Sequence, residues 1–267
     1  MGFELRGASV LVTGATGGLG RAIARELAGR GARLVLTGRQ ERALADLAGE
    51  LGSEAQALAG DLANPEGLGK VVSGAGEIDV LVANAGLEAA EPLDDLSADE
   101  IRETVEVNLI VPALLAQAFL PSMIDRGQGH LVFMSSLAGK VATSGNGPLC
   151  TATKWGLRGL GLGLRLDLRG TGVGVSTVFP GPVRDAGMFA STEVSLPRGV
   201  GTSSPEDVAR AVAKAIIDGK PEVEVAAMAM KLGARVGAVA PRLAGDLSHR
   251  AGAGDVRRRI IAARRTT

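Results

Sequence analysis

Apolar residues in this chain come in short unbroken runs, and most runs are followed by a stretch where they recur every three or four positions. The runs predict strands at Ala8–Thr13, Arg33–Thr37, Glu54–Ala59, Asp79–Ala83, Gly129–Ser135, Gly174–Phe179 and Val223–Ala227. The periodic stretches predict helices at Gly18–Gly29, Glu41–Leu51, Pro65–Gly74, Ala98–Asp125, Thr151–Arg169 and Pro205–Asp218. Uniformly apolar strands alternating with helices imply a parallel sheet covered on both faces. The expected fold is α/β: a single-domain, doubly wound, Rossmann-type parallel sheet of about seven strands. Neither an internal repeat nor a linker rich in Pro, Ser or Gly divides the chain, so one domain is expected over residues 1–267. The stretch 182–204 breaks the rhythm with Asp185-Ala186-Gly187-Met188-Phe189, Pro197 and Gly199, and reads as a long, partly helical substrate loop. Residues 250–267 read as a basic tail.

Composition narrows the chemistry. Lys and Arg number 29, as do Asp and Glu, so no overall field favours nucleic acid or a membrane surface. The arginines of the tail, Arg257, Arg258, Arg259, Arg264 and Arg265, are expected to cap a solvated helix end. There is no Tyr, so any mechanism needing a phenol from this chain is excluded. The single Cys150 cannot form an intrachain disulfide, which fits a reducing, cytoplasmic setting. The first strand begins so near Met1 that no signal peptide is expected. No membrane span is expected, and no metal site.

Thr13-Gly14-Ala15-Thr16-Gly17-Gly18-Leu19-Gly20 follows the first strand and opens the first helix. Glycines at such a place allow a tight turn and close approach of the backbone to a pyrophosphate, which the helix N-terminus attracts. Three features in register strengthen this reading. Arg39 ends the second strand, and no acid lies between Arg33 and Gln40. An NAD site would place a carboxylate there, whereas Arg suits a 2′-phosphate, so NADP(H) is expected in preference to NAD(H). Asp61-Leu62 follows the third strand, and Asn84-Ala85-Gly86 closes the fourth.

In their spacing these motifs resemble the short-chain dehydrogenase/reductase family across nearly the whole chain. The resemblance implies cofactor contacts from Gly14, Thr16, Gly18, Leu19 and Gly20 to the pyrophosphate and from Arg39 to the 2′-phosphate. It places Asp61 and Leu62 at the adenine, and Asn84, Ala85 and Gly86 at the nicotinamide-side ribose. Pro180, Gly181 and Val183 are similar to the family's turn beside the nicotinamide. The family's catalytic set is a Ser that polarises the carbonyl, a Tyr that donates the proton, a Lys that lowers the Tyr pKa and holds the ribose, and an Asn that supports a water chain. Ser136, Lys154 and Asn108 match three of these. Cys150 stands where the Tyr should be, four residues before Lys154, and the segment from Ser136 to Cys150 is one residue longer than usual.

Four accounts of the proton stay open at this point. Cys150 serves as acid, its pKa lowered by Lys154; Ser136 or water delivers the proton inefficiently; the substrate is an iminium that needs none; or the protein is a non-redox member of the fold. A buried structural cysteine is the simple alternative for Cys150. Leu137, Leu149, Trp155, Met188 and Phe189 lie near the site in sequence and suggest a small hydrophobic substrate. Gly156, Gly159, Gly161 and Gly163 each weaken the helix by about 1 kcal/mol. They would let another helix approach, and in the resembled family this helix lies at a twofold interface, so a homodimer or homotetramer is expected.

Overall fold

The computed structural model describes residues 2–184 and 201–265. Seven strands form one parallel sheet: β1 (Ser9–Thr13), β2 (Arg33–Gly38), β3 (Ala55–Ala59), β4 (Val80–Ala83), β5 (Gly129–Met134), β6 (Val173–Pro180) and β7 (Glu222–Val225). Their spatial order is β3-β2-β1-β4-β5-β6-β7. The chain adds strands outward from β1 in one direction and then, from β4, in the other, so the carboxyl ends of these two parallel strands border the crevice where doubly wound folds bind ligands.

The pleat assigns each central side chain to a layer. On β1, Val10 and Val12 face one way and Leu11 the other. The first layer meets α1 (Gly18–Gly29), α2 (Glu41–Leu51) and α7 (Pro205–Asp218) through Ile23, Leu27, Leu44, Leu47, Val212 and Ile216. The second layer meets α3 (Pro65–Ala75), α5 (Val111–Asp125) and α6 (Pro148–Asp167) through Val71, Leu115, Phe119, Met123 and Leu157. Every residue of β4 and β5 is buried, whereas Gln56 and Ala57 of the edge strand β3 are exposed.

Three sequence expectations need correction. The helix expected over 98–125 is α4 (Ala98–Val105), a π-helical turn (Glu106–Ile110) and α5. An 18-residue window of this run has a mean hydropathy of 1.8, enough by length and composition alone to cross a bilayer; in the fold its buried residues pack against the sheet. The helix expected from Thr151 starts at Pro148, which puts Cys150 inside its first turn. The basic tail, expected as a solvated helix end, is α10 (Ala253–Arg265), but the two helices before it, α8 (Met228–Val239) and α9 (Pro241–Arg250), are unforeseen. These helices escape a hydrophobic-stripe reading because α8 turns its smallest residues inward. Ala234 and Gly237 are buried, and a Cβ on Gly237 would collide with Val141.

Candidate active site

The glycine loop is shaped by what it must avoid. Gly14 adopts φ +62°, and a Cβ there would come 2.9 Å from the Cα of Ala85. A Cβ on Gly20 would strike the Gly14 carbonyl, so only glycine lets α1 start so close to the loop. The start of α1 is bare: Gly17 is its N-cap, no side chain bonds the first turn and no acid lies in it. By contrast, α4 and α7 are closed by the capping boxes Ser97/Glu100 and Ser204/Asp207, and α3 by Asn64. Unsatisfied N–H groups and the positive end of the helix dipole are thus left facing a cleft.

That cleft encloses about 360 Å³. Its lining includes Gly14, Thr16, Gly18, Leu19, Gly20, Arg39, Asp61, Leu62, Asn84, Ala85 and Gly86, eleven of the cofactor-binding positions expected from sequence. Arg39 is exposed at its rim and has no ion-pair partner among the described residues. The Asp61 carboxylate accepts from the Ala63 amide at 3.1 Å. These donors and this shape fit an adenine dinucleotide.

Thr13 is a functional residue that the sequence reading treated only as the first letter of the loop. Its Oγ1 accepts from the amides of Asn84 and Ala85, both at 2.9 Å. The Asn84 side chain returns the link, donating Nδ2 to the carbonyls of Thr13 (3.0 Å) and Gly14 (3.3 Å). The ends of β1 and β4 are thereby locked side by side under the cleft. Asn84 is a strut as well as a wall.

At the far end of the cleft, Gly86 lies beside two expected catalytic groups. A Cβ on Gly86 would be 3.1 Å from Asn108 Oδ1 and 3.7 Å from Lys154 Nζ. Asn108 is fully buried in the π-helical turn, and its side chain is committed to one backbone position. Its Oδ1 accepts from the Leu87 amide at 2.7 Å, and its Nδ2 donates to the Leu87 carbonyl at 2.8 Å. The backbone carbonyl of Asn108 is the group these bonds leave unaccounted for. Four residues on stands Pro112, which has no N–H, so the α-helical donor for this carbonyl is missing. Pro112 is a signal that could have been read from sequence.

Lys154 Nζ donates to the Met134 carbonyl at 3.0 Å, and burial lowers its pKa. Ser135 Oγ donates to the Lys154 carbonyl at 2.9 Å, pinning α6 to the end of β5. Next to it, Ser136 Oγ accepts from the Ala138 amide at 3.2 Å, which leaves its own proton free to donate outward. The turn Leu137–Gly139 that follows is anchored by Lys140, whose Nζ contacts Glu224 (2.7 Å) and Glu222 (2.9 Å). Glu222 stays below the usual carboxylate range: burial pushes it up, but bonds from Arg158 and Lys140 outweigh that.

Cys150 is half-buried, one turn before Lys154 on α6. Burial raises its thiol pKa and outweighs the opposing charge of Lys154, correcting the expectation that Lys154 would lower it. Pro180, Gly181 and Val183 lie at the end of β6, outside the wall of the cleft. Gly181 donates its amide to the Val225 carbonyl at 2.8 Å, and Val183 bridges to Ser203, so the two ends of the 182–204 stretch meet. Residues 185–200, and with them Met188 and Phe189, lie outside the described residues. Of the apolar residues expected around a substrate, Leu137 and Leu149 are buried while Trp155 is exposed on α6.

Comparison with known proteins agrees with this geometry. Residues 8–197 match the short chain dehydrogenase family. The chain belongs to that family. It is 40% identical to the ketoacyl reductase HetN of Nostoc sp. (strain PCC 7120) over 228 residues, 83% of this chain and 79% of that protein. It is 35% identical to the 1-deoxy-11-beta-hydroxypentalenate dehydrogenase of Streptomyces exfoliatus, over 80% of this chain and 81% of that one. A metagenomic short-chain oxidoreductase solved in complex with NADP is 36% identical, with a TM-score of 0.68 over 84% of this chain and 97% of the other. A short-chain dehydrogenase from Sphingobium yanoikuyae in complex with NADPH is 27% identical and superposes with a TM-score of 0.75 over 88% of this chain and 95% of the other. As a family member the protein is an oxidoreductase with a site for a nicotinamide cofactor.

Proposed function

We propose that this short-chain dehydrogenase is an NADP(H)-dependent reductase of small apolar carbonyl or imine compounds, with Cys150 in the place of its family's proton-donating phenol. The observation that carries the reading is the meeting of Asn108 and Lys154 at Gly86, where the cleft lined by the bare end of α1 and by Arg39 terminates. When bound, the cofactor supplies a hydride. The α1 amides hold its diphosphate, Arg39 the 2′-phosphate, and Asp61 with Leu62 the adenine. Lys154 and the Asn84–Gly86 turn hold the second ribose, and Pro180, Gly181 and Val183 border the nicotinamide.

Ser136 offers its free proton to the substrate oxygen, polarising the carbonyl toward hydride attack. Negative charge then collects on that oxygen and needs a proton. The burial-raised thiol of Cys150 remains protonated at neutral pH, which suits an acid and not a nucleophile. A water held by the Asn108 carbonyl would connect this end of the site to solvent. Should the substrate be an iminium, no acid is needed. A second reading, a non-redox protein of the same fold, is favoured by the absence of any Tyr in the chain.

Oxidation of NADPH, followed by its absorbance with a panel of ketones and cyclic imines, tests the proposal. Turnover of either class with NADPH preferred over NADH is expected. Tight NADPH binding without turnover of either would sink it. Cys150→Tyr separates the readings: a diminished reductase gains on the order of 10²-fold in ketone reduction or more, whereas a protein with changed chemistry gains nothing.

We also propose that the chain forms a homodimer or homotetramer through α5 and α6. Trp155, Leu162 and Leu166 are exposed on one face of α6, and Ile110, Leu114 and Ile124 along the π turn and α5. Gly159 and Gly163 open the α6 face for close approach, with nothing within 4 Å of an added Cβ. Gly156 and Gly161 serve internal packing instead, against Leu109 and Thr177.

A further inference from the structure

The C-terminal helices present a surface that neither the fold nor the site explains. On α8, Met228, Leu232, Val236 and Val239 fall within an arc of about 80° at 100° per residue. All four are exposed, Met228 by 76% and Val239 by 84%. The opposite face, which packs on Val141 and Phe179, buries Ala234 and Gly237 and half-buries Met230. Four of the five large apolar side chains of the helix thus face solvent. Leu243 and Leu247 extend the apolar surface onto α9, exposed by 51% and 53%.

Charge is segregated in the same segment. Residues 228–267 hold nine Lys and Arg against two Asp, a surplus of seven positive charges in a chain whose total is zero. The remaining 227 residues are correspondingly acidic. Arg242, Arg250 and Arg259 are exposed and have no ion-pair partner among the described residues. An exposed apolar stripe in a segment that also carries unpaired, exposed cations matches the chemistry of an anionic lipid surface, where acyl chains take the stripe and headgroups the cations.

We propose that α8 and α9 dock this protein on an anionic membrane surface as a peripheral, non-spanning contact. The other side of this C-terminal segment braces loops that lead to the active site. Ser248 of α9 bonds the backbone and side chain of Ser144, Ala253 of α10 packs on Gly145, and Arg257 donates to the Ala90 carbonyl. The segments so held, 143–147 and 89–90, are those that lead into Cys150 and out of Gly86.

Flotation of the full chain with vesicles tests this and requires no turnover. Binding to equimolar phosphatidylcholine and phosphatidylglycerol is expected in 0.1 M NaCl, with much less to phosphatidylcholine and a marked loss in 0.5 M NaCl. Leu232→Asp with Val239→Asp should weaken binding at least about tenfold. The triple change Arg242→Gln, Arg250→Gln, Arg259→Gln should weaken it about fivefold per charge removed. The proposal falls if the full chain does not float with anionic vesicles, if it floats equally with phosphatidylcholine, or if the aspartate variant binds undiminished. It also falls if that variant halves the solution mass, which would give the stripe to a second copy of the chain. Should the aspartate variant lose cooperative thermal unfolding, the arginine variant decides, and undiminished binding by it overturns the proposal.

Discussion

One hydroxyl, that of Thr13, holds two strand ends together beneath the cleft by accepting from two amides at once. Thr13→Val keeps the shape, strands the Ala85 amide and leaves the Asn84 amide only its bond to the Val82 carbonyl. Chemical denaturation should show a loss of about 1–3 kcal/mol, and NADPH affinity should fall with it. Arg39 acts alone, exposed at the rim with no ion-pair partner among the described residues. Removing it as Arg39→Gln should raise the Kd for NADPH by roughly 10–100-fold while leaving NADH nearly unchanged, as titration calorimetry would show. Most of the cleft was legible at this scale because glycines and a lone Arg carry local signals. Thr13 was not, since its role depends on a strand about seventy residues away. The raised pKa of Cys150 was equally hidden: spacing places Lys154 one turn off but says nothing of how dry the thiol is.

Among elements, the π-helical turn does most to position chemistry. It buries Asn108, and Pro112 deprives the Asn108 carbonyl of its helical donor. Pro112→Ala supplies the missing N–H. The expected result is a lower kcat with NADPH binding retained, read from steady-state rates beside calorimetry; unchanged kcat would show that this carbonyl takes no part. Strands and helices with buried stripes were readable from period alone, as β1, α1 and α7 show. The π turn was not, because one extra residue in a turn leaves the apolar spacing almost untouched. The start of α6 at Pro148 was readable in principle, proline being favoured in the first helical turn. The helix α8 was not, because its buried positions are Ala and Gly.

For the whole molecule, acid should act first at His130. This side chain lies between β5 and β6 with a ring nitrogen 2.8 Å from Ser176 Oγ, and burial, aided by the charge of Arg165, lowers its pKa to about 4. The unfolded chain takes up this proton near pH 6.5 and the folded chain only near pH 4. Stability is therefore full above pH 6.5 and declines as pH falls toward 4, by roughly 3 kcal/mol in total. Urea midpoints at pH 7, 5.5 and 4.5 should trace this decline, and His130→Gln should flatten it above the range where carboxylates titrate. Assembly is separable from stability. Leu162→Lys with Leu166→Lys should bring the mass measured by light scattering down to one or two chains, with cooperative unfolding intact.

The bare first turn of α1 ties folding to metabolism. A helix that lacks its own cap is completed by whatever anion settles on it, so the nucleotide serves this protein as a structural part. At a hundredfold excess over its dissociation constant, a ligand adds about 2.7 kcal/mol to the folded state, or roughly 5–11 °C in melting temperature for a domain of this size. Freshly synthesised chains in a nucleotide-starved cell would open more often and meet proteases sooner. Abundance of the enzyme would then follow supply of its coenzyme with no regulator in between.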